Sequence, residues 1–107
     1  MFARQVSMHL KPHSVAEFTK TIETEIIPLL QKQTGFRDEF MLVAPNGTEA
    51  VGISFWDQKE NAEAYNRSAY PEVQKALTKV VEGTPQVQTY EVTNSTFHKV
   101  AARGAAA

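Results

Sequence analysis

Residues 36–56, Phe-Arg-Asp-Glu-Phe-Met-Leu-Val-Ala-Pro-Asn-Gly-Thr-Glu-Ala-Val-Gly-Ile-Ser-Phe-Trp, decide the fold. Two strand-like runs, 36–44 and 49–56, flank Pro45-Asn46-Gly47. Asn and Gly both tolerate positive φ, so this dipeptide between such runs signals a hairpin. Pro45 is equally suited to open a type I turn, which leaves the register free by one residue. The second run alternates. Val51, Ile53 and Phe55 fall on one side, and Ala50, Gly52, Ser54 and Trp56 on the other.

Working outward, the stretch before the hairpin carries Val15, Phe18, Ile22, Ile26, Leu29 and Leu30 at helical spacing. Ser14 followed by Glu17 reads as a capping box. Pro28 removes a backbone donor and is expected to kink the last turns. Gly35 suits a left-handed cap. Earlier still, residues 2–10 alternate as a strand. Phe2, Arg4, Val6, Met8 and Leu10 share one side; Ala3, Gln5, Ser7 and His9 share the other. Beyond the hairpin, Asp57 with Glu60 reads as a second cap, and 61–68 as helical. Pro71 opens a further helix to about Val81, with Val73, Leu77, Val80 and Val81 inward. Gly83-Thr84-Pro85 is expected to end it. The last strand is expected over 87–92, with a short extension over 95–100.

The order strand–helix–strand–strand–helix–strand implies a ferredoxin-like α+β domain: a four-stranded antiparallel sheet with helices on one face. The first and third strands are expected as central neighbours running in the same direction. That would gather His9, His13, Trp56 and Asp57 at one rim. Both sheet faces carry apolar side chains and helices cover only one, so a homodimer is expected to cover the other. The small residues Gly52 and Ser54 leave room for a pocket beneath the helices.

Composition narrows the partners. A chain of 107 residues makes one domain, read here as 1–100, and the Ala-rich 101–107 as a disordered tail. Eleven basic against twelve acidic residues argue against nucleic acid, whose affinity comes from neutralised phosphates. The absence of cysteine excludes disulfides and thiolate chemistry. No apolar run approaches the ~20 residues of a membrane span, so no membrane partner is expected. Met1 to Gln5 has no apolar signal core, which points to the cytoplasm.

The helix ending at Gly35-Phe36, the hairpin, Ile53-Ser54-Phe55-Trp56-Asp57, and then Glu60, Ala64-Tyr65 and Ser68 resemble the antibiotic biosynthesis monooxygenase superfamily, over about residues 2–95. The resemblance implies a dimeric α/β barrel. It implies oxidation of an aromatic or quinone-like small molecule with molecular oxygen and no cofactor, the substrate carbanion itself activating oxygen. Trp56 matches the family tryptophan. Asn66 falls where haem-degrading members often place a histidine, and a carboxamide is a poor iron ligand. A haem-handling protein is the weaker alternative. A non-catalytic barrel that sequesters a small apolar molecule is the stronger one.

Candidate catalytic residues are therefore His9 as general base, with Trp56 and Asn66 orienting substrate. Ser7, Gly52, Ser54, Tyr65 and Tyr70 are candidate pocket residues. Each has a plainer reading. Trp56 equally suits core packing, His9 a solvated rim, and the tyrosines a helix junction with wetted hydroxyls. His9 and His13 do not share a helix and lack a third ligand, so no metal is expected. Gly52-Ile53-Ser54 lacks the second glycine of a nucleophile elbow.

Overall fold

The structure is a computed structural model and describes residues 1–98 and 100. The proposed tail, 101–107, lies outside the described residues. Four strands form one antiparallel sheet: β1 (Phe2–Leu10), β2 (Phe36–Val43), β3 (Glu49–Trp56) and β4 (Val81–Glu91), in the order β2-β3-β1-β4. Three helices cover one face. Helix α1 spans 15–31, α2 is Lys59–Ser68 and α3 is Tyr70–Leu77. This is the ferredoxin-like α+β arrangement that the hairpin and its flanks imply.

One expectation is overturned. Strands β1 and β3 run antiparallel, with Phe2 opposite Trp56 and His9 opposite Glu49. The reason is directional. A helical crossover returns the chain along its original direction, so β2 runs with β1, and the hairpin then reverses β3. His9 and Trp56 therefore stand at opposite ends of the sheet.

Local chemistry explains the remaining differences. In α1, the α-helical Val15–Thr21 leads into a π-helical Ile22–Ile26, then α-helical Ile27–Gln31. The Ile27 amide donates to the Ile22 carbonyl five residues back. The disturbance expected at Pro28 is thus taken up as a wide turn just before it. Phe18, Ile22, Ile26 and Leu30 are buried, each contributing roughly 1.5–3 kcal/mol relative to exposure. Ser14 precedes α1, but its hydroxyl bonds the Pro12 carbonyl and not the helix amides. Asp57 does not cap α2 either. It pairs with Arg37, and the Asn61 side chain accepts from the Gln58 amide instead.

The third helix stops at Leu77, and β4 already begins at Val81. Gly83-Thr84-Pro85 lies inside the strand as a bulge. Ser7 pairs Gln86 and His9 pairs Glu82, so β4 carries two extra residues there. Gly83 adopts φ +69, which a glycine reaches at no steric cost. In the hairpin turn, the Gly47 amide donates to the Ala44 carbonyl at 2.8 Å, so Pro45 opens the turn. Residues 92–98 add no strand.

The two sheet faces divide as the alternation requires. Toward the helices point Met8, Leu10, Ala50 and Trp56, all buried. The opposite face carries Val51, Ile53 and Phe55 with Phe40 and Leu42, the last two exposed. Phe40 packs edge-on against Phe55 and Phe97, with ring centroids 5.5 and 5.6 Å away. Among the described residues no helix is long and apolar enough to cross a membrane.

Candidate functional site

A cavity of about 40 Å³ lies between the sheet and the helices. Strands supply Arg4, Glu39, Gly52 and Ser54, and helices supply Ile22, Ile26, Tyr65 and Tyr70. Gly52 makes the space. A Cβ there would stand 2.9 Å from Met41 Cε. Most of the wall is apolar, with Met8 and Met41 as its adaptable side chains.

The polar groups are few and deeply set. Arg4 is 3% exposed and points into the helix layer. Its guanidinium carbon stands 4.0 Å from the centre of the Tyr70 ring and 5.2 Å from that of Tyr65. One amino group donates to Asn66 Oδ1 at 2.8 Å. Glu39 enters from β2 beside Ser54. Burial lifts its carboxyl from the ordinary value of 4.5 to about 8, because a low-dielectric setting disfavours the charged form. Burial likewise pushes the Tyr65 hydroxyl up, opposed by the Arg4 charge. Among the described residues, Glu39 Oε1 and Tyr70 Oη are buried without a hydrogen-bond partner. Buried polar atoms are normally paired, so two orphans beside one cavity mark a place for water or ligand.

The residues singled out from the sequence fall in several places. Gly52, Ser54, Tyr65 and Tyr70 line the cavity. Trp56 does not. It is fully buried, edge-on to Phe36 at 5.5 Å and tilted against Tyr65 at 5.1 Å. Its indole N–H donates to Ser54 Oγ at 2.9 Å and so fixes that hydroxyl. Asn66 is exposed on α2 and meets the site only through Arg4. Ser7 lies on the opposite sheet face, one residue out of phase with Val6 and Met8. His9 is at the far rim, 73% exposed, with Glu49 at 3.8 Å. The structure thus assembles the two tyrosines, Ser54 and Gly52, and leaves His9 and Ser7 outside.

Sequence reasoning passed over Arg4 as a site residue and Glu39 altogether. Both carried a signal. Arg4 shares its side of β1 with Phe2, Val6, Met8 and Leu10, and Glu39 alternates with Phe40 in the same phase as Met41 and Val43. A charge on an otherwise apolar strand side is either an error in phase or a functional group.

The fold and this interlayer cavity define a ferredoxin-like α+β protein with a buried, mostly apolar cavity between its sheet and its helices. The same fold is found in solved structures named as putative antibiotic biosynthesis monooxygenases, from Nitrosomonas europaea and Bordetella bronchiseptica, at 14% and 15% identity. SnoaB, a cofactor-independent oxygenase from Streptomyces nogalater, is 13% identical, with a TM-score of 0.74 over 89% of this chain and 95% of that one. A monooxygenase from the gene ActVA-Orf6 of Streptomyces coelicolor, solved in complex with nanaomycin D, is 14% identical, with a TM-score of 0.74 over 92% of each chain. A protein of unknown function from Nitrosomonas europaea is 16% identical, with a TM-score of 0.74 over 92% and 95%. No family model and no curated protein matches the chain.

Proposed function

We propose that this protein is a small oxygenase that oxidises an aromatic or quinone-like compound without a bound cofactor, in the cavity between sheet and helices. The observation that carries the reading is the unpaired Glu39 Oε1, in a carboxyl tuned to about 8, beside the unpaired Tyr70 hydroxyl. A general base works best with a pKa near the operating pH. Two fold neighbours named as oxygenases, one of them solved in complex with nanaomycin D, support the same chemistry.

In this mechanism Glu39, as carboxylate, takes a proton from a ring CH₂ activated by a neighbouring carbonyl or phenol. Tyr70 donates a hydrogen bond to the substrate oxygen where negative charge collects. The resulting carbanion passes electrons to molecular oxygen. One oxygen atom becomes a new carbonyl, and the other leaves as water with the two hydrogens of the CH₂, so no outside reductant is consumed. The chain contributes desolvation and positioning. Ser54, held by Trp56, and Gly52 form the floor. A space of about 40 Å³ holds a few waters, so a ring enters by displacing them and swinging the flexible Met8 and Met41 aside.

The same reading makes the protein a homodimer. The face bearing Val51, Ile53, Phe55, Phe40 and Leu42 is an apolar layer that a second copy covers. Light scattering at micromolar concentration is expected to give the mass of two chains.

Oxygen uptake with a panel of hydroxylated polycyclic compounds tests the activity. Uptake in the wild type that disappears in Glu39→Gln supports it. No uptake from any member, together with tight binding of the same compounds, would overturn it in favour of a non-catalytic binding barrel.

A further inference from the structure

Among the described residues, Arg4 is a buried cation without a counter-ion. It is 3% exposed, and among the described residues no ion pair joins it to a carboxylate. Its polar contact there is the neutral Asn66 amide, and its remaining charge rests on two tyrosine ring faces. Glu39, the carboxyl that shares the cavity with it, is mostly protonated at neutral pH. Buried charges in folded proteins are ordinarily paired, because desolvation of a lone ion is costly. A guanidinium offers five N–H donors, and among the described residues the donation seen is the one to Asn66.

The surroundings of Arg4 say what would pair it. Besides walling the inner cavity, Arg4 ends a larger groove of about 510 Å³ between α2 and β4. Lys59 and Arg67 stand on the rim of that groove with Asn66, and Glu63 is its single acid. Phe2, Ala62 and Val87 give it an apolar floor. Three cations against one carboxylate, over an apolar strip, match a flat molecule with a negative group.

We propose that the α2–β4 groove binds an aromatic carboxylate, its acid group held by Arg4 with Lys59 and Arg67 and its ring laid on Phe2, Ala62 and Val87. The groove is the entrance to the inner cavity, and Arg4 is the wall between them. An arriving carboxylate competes with Asn66 for the guanidinium and draws Arg4 off the tyrosine rings. The proposal deepens the oxygenase reading by naming the class of substrate, an aromatic compound bearing a fixed acid. Its binding claim stands apart from turnover. Arg is suited to the role because its planar fork takes a carboxylate through two parallel hydrogen bonds.

The experiment compares a naphthalene carboxylate with the matching naphthol, neutral at pH 7, titrated into the full chain by calorimetry at low and at physiological salt. The carboxylate is expected to bind about tenfold more tightly, with the gap narrowing as salt rises. Lys59→Gln/Arg67→Gln is expected to weaken the carboxylate about fivefold and leave the naphthol within about twofold. Lys20→Gln/Lys32→Gln, which removes the same charge from α1 and the residue that follows it, is expected to change neither. Arg4→Met is expected to abolish the preference. If circular dichroism shows that this variant does not fold, the Lys59/Arg67 pair decides alone. Equal affinity for the two compounds overturns the proposal, as does an equal loss in both double variants. Carboxylate preference without oxygen uptake overturns the oxygenase reading alone. Oxygen uptake without that preference overturns this one alone.

Discussion

Two ends of the same β-sheet carry acid–base groups, and they differ in one respect. At the rim, His9 and Glu49 face each other at 3.8 Å, 73% and 60% exposed. Under the helices, Glu39 sits beside Ser54 with one oxygen unpaired and its carboxyl lifted to about 8. The rim has the residue types that catalysis favours, and water screens them. Exposed pairs of this kind are worth at most about 1 kcal/mol. The interior has an ordinary glutamate whose chemistry is changed by the loss of its water. Environment, more than residue type, makes the reactive group.

The largest effect that would break this comparison is on turnover. Glu39→Gln removes the proposed base but keeps the shape, and is expected to lower oxygen uptake at least about 100-fold. An unchanged rate would move the chemistry elsewhere. His9→Ala at the rim is expected to leave the rate within about twofold. A loss comparable to that of Glu39→Gln would restore the histidine as the base.

Next in size is a test of Trp56, which sits at the other end of the sheet from His9. It is fully buried and wedged between Phe36 and Tyr65. Trp56→Ala is expected to cost about 3–5 kcal/mol in urea unfolding, the range for large aromatics removed from a core. A cost under about 1 kcal/mol would mean that the site tolerates the void and the ring is there for a ligand.

A smaller effect sharpens the contrast through pH. The folded protein holds the Glu39 proton up to about pH 8, and the unfolded chain releases it near 4.5. Between those values the folded state binds more protons, so stability falls as pH rises. It levels off above pH 8 and below 4.5. The loss is a few kcal/mol at most, since Glu39 keeps some contact with solvent. Thermal melts from pH 5 to 8 are expected to show this fall in the wild type and to lose most of it in Glu39→Gln. Identical profiles would mean that Glu39 is not desolvated. The smallest effect belongs to the rim, where His9→Ala is expected to change stability by less than about 0.5 kcal/mol.

Much of this was legible in advance, and the failures have identifiable causes. The helical stripe from Val15 to Leu30, the hairpin at Asn46-Gly47 and the two-sided β3 all follow from local periodicity. The cavity lies under Gly52 and Ser54, the small residues on the helix-facing side of β3. Strand direction was also recoverable, because one hairpin between two crossovers makes β1 and β3 oppose. Taking them as parallel misplaced His9 beside Trp56. Gly83-Thr84-Pro85 has the composition of a break, yet β1 supplies a ladder on which it survives as a bulge. Capping pairs such as Ser14–Glu17 and Asp57–Glu60 failed because nearer partners, the Pro12 carbonyl and Arg37, took the side chains.

The sequence by itself determined the elements, their faces and the presence of a charge on two apolar strand sides, since each of these depends on residues a few positions apart. Only the tertiary structure decided which charges lose their water. Glu39 and Glu49 are the same side chain on neighbouring strands. Antiparallel pairing places Glu39 next to Ser54, beneath Tyr65 and Tyr70, and leaves Glu49 at the open end beside His9. Desolvation is a property of everything packed around a group, and that is assembled from residues far apart in the chain.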